Sequence, residues 1–123
     1  VSLVGLDHAF ITIPSGAEDE SRRFYGELLG LEEIRKPEGL AESPGVWFRA
    51  GGQELHLGSD DAHEAQRRPH PGFRAQSVTA LEELARRLDE AGCAVRWDDR
   101  IEGRKRFYVR DPFGNRVELL ADL

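Results

Sequence analysis

The feature that most restricts this chain is a match with itself at a single offset. His8 and His70, Ser15 and Ser77, Gly30 and Gly92, and Gly52 and Gly114 are each separated by 62 residues. Identities elsewhere at this offset are sparse. The weight lies in where the matches fall: a histidine on a first strand, a helix start, a helix end and a turn. A period of this length exceeds those of the common solenoids, and it predicts a duplicated half-domain. The 123 residues have room for a single domain of two such halves, about 5–60 and 68–123, joined by a polar linker over about 59–69.

Each half reads as strand, helix and three strands. Leu6–Pro14 alternates, with Ala9, Ile11 and Ile13 on one face and His8, Phe10 and Thr12 on the other. Ser15-Gly-Ala-Glu18 has capping-box spacing, and Phe24, Tyr25, Leu28 and Leu29 mark the buried face of a helix that Gly30 ends. Strands are expected at Leu31–Arg35, Val46–Ala50 and Gln53–Gly58, with a loop at Lys36–Gly45. In the second half a strand is expected at His70–Ala75. Thr79-Ala-Leu-Glu82 offers a capping box, and Leu81, Leu84, Ala85 and Leu88 form a helical stripe ending at Gly92. Strands at Ala94–Trp97, Phe107–Arg110 and Arg116–Leu120 follow, the last two joined by the turn Asp111-Pro-Phe-Gly-Asn115. The fold class is α+β: two tandem βαβββ modules forming a cupped, mostly antiparallel sheet with helices on its outer face.

Charge and cysteine content remove several function classes. The net charge is −6, and the short basic runs Arg86–Arg87 and Arg104–Arg106 lie beside acidic residues, so no nucleic-acid partner is expected. The one cysteine, Cys93, allows no internal disulfide and reads as a buried strand-start residue. No apolar run approaches the roughly 20 residues of a membrane span, and residues 1–10 lack a signal-peptide pattern. A cytoplasmic protein without a membrane partner is expected.

Polar residues on the strands carry the chemical signal. The offset takes His8 onto His70 and His56 onto Glu118, and the intervals 56 − 8 and 118 − 70 are both 48. Strand parity sets His8 against Ala9, Ile11 and Ile13, His56 against Leu55 and Leu57, and Glu118 against Val117 and Leu119. If the aliphatic faces cover the helices, the three imidazoles and the carboxylate share the opposite face. Such a donor set suits one divalent transition metal, among Zn, Ni, Fe, Co and Mn. With four protein ligands, an octahedral ion keeps two positions for vicinal oxygens of a substrate. Glu54, two residues before His56, shares its face and is a candidate proton-transfer base; Glu118 is counted with it as catalytic. Arg106 and Tyr108 on the penultimate strand are candidates to orient an anionic substrate, and Phe48 is taken with them as a substrate contact. His63, in the linker and without a partner at the repeat offset, is expected to be solvated.

Leu6-Asp-His8, Phe24-Tyr-Gly-Glu-Leu-Leu-Gly-Leu31, Glu54-Leu-His-Leu57 and Phe107-Tyr-Val-Arg-Asp-Pro-Phe-Gly-Asn-Arg-Val-Glu-Leu-Leu120 resemble the vicinal oxygen chelate superfamily of glyoxalases, bleomycin-resistance proteins and dioxygenases. The resemblance covers nearly the whole chain. It implies paired βαβββ modules, a cupped active site and commonly a homodimer. It matches the family's metal positions to His8, His56, His70 and Glu118. Glyoxalase I is similar at the first, third and fourth of these positions but carries a carboxylate at the second. His56 therefore argues against methylglyoxal-type isomerisation in its usual form. The expectation is a divalent-metal-dependent lyase or isomerase acting on a small substrate. Two alternatives stand beside it: a non-haem iron extradiol-type dioxygenase using His8, His70 and Glu118, with His56 as acid/base, and a non-catalytic drug-binding resistance protein.

Overall fold

Alternation along β1 (His8–Ile13) gives the first sheet its two faces. In the computed structural model, which describes residues 2–123, β1 pairs in parallel with β4 (Gln53–Ser59). Antiparallel β3 (Gly45–Ala50) and β2 (Glu32–Ile34) complete the order β1-β4-β3-β2. Ile13, Val46, Phe48, Leu55 and Leu57 are buried together with Phe24 and Tyr25 of the helical segment. The N-terminal half of β1, through Phe10, is exposed.

That helical segment departs from the sequence reading. A short α-helix, α1 (Glu18–Ser21), runs directly into a wider π-helical stretch (Arg22–Leu28), whose end is marked by Leu29 N–H donating to the Phe24 carbonyl at 2.9 Å. The extra residue in this turn lets the neighbouring aromatics Phe24 and Tyr25 both turn inward, edge to face with ring centroids 4.9 Å apart. The expected capping box does not form. Ser15 donates instead to Asp61, and the N-cap position falls at Ala17, with no side-chain cap. A 3₁₀ turn (Glu38–Leu40) interrupts the expected loop.

The second half repeats the pattern as β5-β8-β7-β6, with β5 (Gly72–Arg74) parallel to β8 (Arg116–Asp122) and antiparallel β7 (Arg104–Arg110) and β6 (Arg96–Asp98) beyond it. The long helix α2 (Val78–Glu90) buries Leu81, Ala85 and Leu88, and the inward residues of β7 and β8 (Phe107, Val109, Val117, Leu119 and Ala121) form the sheet side of this core. The cap of α2 is Ser77, not Thr79. Ser77 is extended (φ −158°), and its Oγ accepts from Ala80 N–H at 3.1 Å, which satisfies one of the first-turn donors. β6 starts at Arg96 rather than Ala94, because Cys93 N–H still closes the helix end on the Leu88 carbonyl.

The chain divides into two compact units, Val1–Glu64 and Ala65–Leu123, each with its own sheet and helix. The offset of 62 holds for β1 and β4 against β5 and β8, but β7 slips by one. His56 faces Trp47 and Glu118 faces Tyr108, so the offsets are 118 − 56 = 62 and 108 − 47 = 61. The slip comes from the longer second hairpin. Gly51 and Gly52 turn the first one, whereas in the second Asp111 N–H bonds the Asn115 carbonyl around three intervening residues.

Candidate metal centre

In unit 1 the parallel pair β1 and β4 sets His8 beside Glu54 and Phe10 beside His56. The His8 and His56 rings stack, with centroids 4.3 Å apart and planes at 19°. Trp47, facing His56 from β3, stacks on its other side at 3.5 Å and 8°. Three adjacent strands therefore present a continuous His8–His56–Trp47 stack. His56 is buried at its centre, while His8 stays accessible. Phe10 lies across Gly58, where a Cβ would collide with its ring.

Each imidazole has one ring nitrogen already engaged. His8 Nδ1 lies 3.0 Å from Asp7 Oδ2, and His56 Nε2 lies 2.9 Å from Glu54 Oε1. In unit 2, His70 Nδ1 lies 2.7 Å from the Arg68 carbonyl. A carbonyl or carboxylate only accepts, so each of these nitrogens carries the proton, and in a neutral ring the other nitrogen holds the lone pair. Holding one ring nitrogen in this way fixes the tautomer and aims the other, as is usual for metal-bound histidine.

In unit 2 that remaining nitrogen has a telling partner. His70 Nε2 lies 3.0 Å from Glu118 Oε1. By the same rule a proton, or a metal ion in its place, lies between this nitrogen and the carboxylate oxygen. Two neighbouring ligands about 2.1 Å from an octahedral ion lie about 3.0 Å apart, so the separation suits a shared metal. Within unit 2, His70 and Glu118 are therefore spaced as two ligands of one divalent ion would be. Among the described residues, no three or more imidazole, thiol or carboxylate groups already sit together as a cluster able to hold a metal ion.

Around Glu118 the site face of unit 2 carries two arginines, Arg106 and Arg116. Tyr108 faces Glu118 across the β7–β8 ladder, with its ring edge-on to His70 at 5.4 Å and the Arg116 guanidinium 3.8 Å over its face. Arg106 is buried at 8% exposure. It donates from Nη1 to the Tyr108 hydroxyl at 2.7 Å and from Nη2 to Asp98 Oδ1 at 3.2 Å, and Nη1 is 3.5 Å from Glu118 Oε2. Burial pulls the Arg106 guanidinium down, but Tyr108, Asp98 and Glu118 together outweigh it and hold it above its ordinary value. Asp98 is held well below the usual carboxylate range, chiefly by the Arg100 side chain.

Two sequence expectations are corrected here. Phe48 is fully buried on the helix side against the Tyr25 ring, on the opposite sheet face from His56, and so cannot contact a substrate there. Its neighbour Trp47 occupies the face where Phe48 was expected. His63 is not simply solvated: its Nδ1 is 2.7 Å from the Thr12 hydroxyl on β1. Sequence reasoning also missed Trp47 and Arg116. Alternation along β3 marks Trp47 as opposed to Val46 and Phe48. The correspondence of Trp47 with Tyr108 stayed hidden because the fixed offset of 62 sends Trp47 to Val109.

Duplicated βαβββ units, each with one parallel strand pair, define a class of α+β proteins. A sequence model of the glyoxalase, bleomycin resistance protein and dioxygenase superfamily matches residues 5–119, and the chain belongs to this family. It is 44% identical to an uncharacterized protein of Pseudomonas aeruginosa, over 92% of this chain and 85% of that protein. A crystal structure of a glyoxalase-family protein from Bacillus anthracis superposes with a TM-score of 0.93 at 39% identity, covering 100% of this chain and 98% of that one. Lactoylglutathione lyase from Agrobacterium tumefaciens superposes with a TM-score of 0.74 at 25% identity, covering 98% and 96%. No helix among the described residues is long and apolar enough to cross a membrane.

Proposed function

We propose that this protein is a divalent-metal-dependent lyase or isomerase of the glyoxalase type, acting on a small substrate that offers two vicinal oxygens. The observation that carries the reading is the His70–Glu118 pair, an imidazole nitrogen 3.0 Å from a carboxylate oxygen on β8. His8 and His56 occupy the positions of unit 1 that match His70 and Glu118 at the offset of 62. Together the four side chains would hold the metal, which when bound supplies a Lewis acid that stabilises negative charge on an enolate or alkoxide oxygen. Similarity to lactoylglutathione lyase favours this chemistry over oxygen activation.

The chain's own residues fill the remaining roles. Glu54 holds His56 through its Nε2–H and is partly accessible, with 32% of its side chain exposed. It can orient the imidazole and also exchange a proton with a substrate carbon beside it. The indole of Trp47 fixes the plane of His56 from the opposite side. Tyr108, with its hydroxyl held by Arg106 and its ring under Arg116, gives the substrate a polar contact next to Glu118.

The test is elemental analysis of protein purified without an affinity tag. His8→Ala, His56→Ala, His70→Ala and Glu118→Ala each lower the metal content sharply, whereas His63→Ala leaves it unchanged. Equal metal retention in all five variants overturns the assigned ligand set. Glu54→Gln keeps the metal and loses turnover. Full turnover in that variant removes Glu54 as the base.

A further inference from the structure

Arg106 is buried, yet it serves no part of the core. It lies on the same face of β7 as Tyr108, while Phe107 and Val109 face the helix. Its two Nη groups reach Tyr108, Asp98 and Glu118, but its Nε, also buried, has no hydrogen-bond partner. A side chain placed to satisfy itself would not leave that donor empty. The guanidinium is oriented by what its Nη atoms hold.

Its acceptors form a chain. Arg100 engages Asp98 through both carboxylate oxygens, Asp98 Oδ1 accepts from Arg106, and Arg106 sits against Glu118 Oε2, while the other oxygen of Glu118 faces His70. A guanidinium 3.5 Å from one carboxylate oxygen favours the orientation in which the other oxygen faces His70. We infer that Arg106 is a positioning residue that fixes Glu118 as a metal ligand, with Asp98 as its support, and is not a substrate contact. This inference rests on the metal reading given above.

The experiment titrates purified apoprotein with Zn²⁺ against a chromophoric chelator. Arg106→Met is expected to weaken Zn²⁺ binding by about 10- to 100-fold, the usual cost of removing a group that orients a metal ligand. Asp98→Asn should shift it in the same direction by less. Because Arg106 acts through Glu118, the double variant Arg106→Met with Glu118→Gln binds no more weakly than Glu118→Gln alone. Leu81→Ala, which loosens the α2 core, lowers the melting temperature without changing Zn²⁺ affinity and so controls for general destabilisation. Wild-type affinity in Arg106→Met, or a double variant whose loss is the product of the two single losses, overturns the inference while His70→Ala and Glu118→Gln still lose Zn²⁺. Wild-type affinity in His70→Ala and Glu118→Gln removes the metal reading and this inference with it.

Discussion

Replacing Asp111 by alanine tests how the second hairpin sets the strand that carries Glu118. Asp111 is almost fully buried. Its Oδ1 accepts from Phe113 N–H at 2.9 Å and Asn115 N–H at 2.8 Å, and its Oδ2 accepts from Asn115 Nδ2 at 3.0 Å. Asn115 is completely buried, and its own Oδ1 accepts from Gln66 N–H at 3.1 Å, so the turn also ties down the start of unit 2. Alanine takes the Asp111 carboxylate away from two buried Asn115 donors, at about 1–3 kcal/mol each, and so removes a charge-assisted acceptor. The sum, discounted because neighbouring effects are not additive, is about 3–5 kcal/mol. For a chain of this size that lowers the melting temperature by roughly 10–20 °C. Calorimetry and urea titration measure it. A loss below about 1 kcal/mol would mean that the Asp111 network is replaceable by water, and the reasoning about this turn would be wrong.

Other outcomes follow from single residues. Gly45→Ala should destabilise by about 2–4 kcal/mol, read by urea titration, because φ is +117° and a Cβ there runs into the Leu57 backbone carbonyl. Asp98 has a folded-state pKa below its unfolded value of 3.8, so its contribution is complete above that value and fades as pH falls toward the depressed one. The melting-temperature gap between wild type and Asp98→Asn should therefore stay constant from pH 7 to about pH 5 and close only in stronger acid; a gap that closes near neutrality contradicts the ion-pair assignment. Burial pushes the Cys93 thiol up, so its reaction with an aromatic disulfide at pH 8 should be slower than that of glutathione, and a rate above glutathione's would mark an activated thiol.

Much of the fold was legible because period-2 alternation and helical stripes are direct records of burial. Leu55 and Leu57 against His56, and Val117 and Leu119 against Glu118, give the faces without coordinates. Capping was misread at both helices. A Ser or Thr three residues before Glu is only a possibility until φ is known, and Ser77, two residues before Thr79, had the extended backbone that a cap needs. The π-helical stretch has no sequence mark beyond adjacent Phe24 and Tyr25. At the site, the offset found the donor positions but hid Trp47, since a single extra residue in the Asp111–Asn115 turn shifts the register of one strand. Parity was available for Phe48 and excluded it from the face of His56: Val46 and Phe48 share the apolar side of β3. Arg106 could be recognised as a residue of that face, but its commitment to Asp98 and Glu118 depends on side-chain directions that spacing does not carry.

The most direct measurement is a crystal structure of the full chain grown with Zn²⁺, with anomalous scattering recorded at the zinc edge. The proposal predicts a single strong peak coordinated by Glu118 and by one nitrogen each of His8, His56 and His70, at about 2.0–2.2 Å. A peak bound elsewhere, or His70 and Glu118 still paired directly with no ion between them, would contradict it.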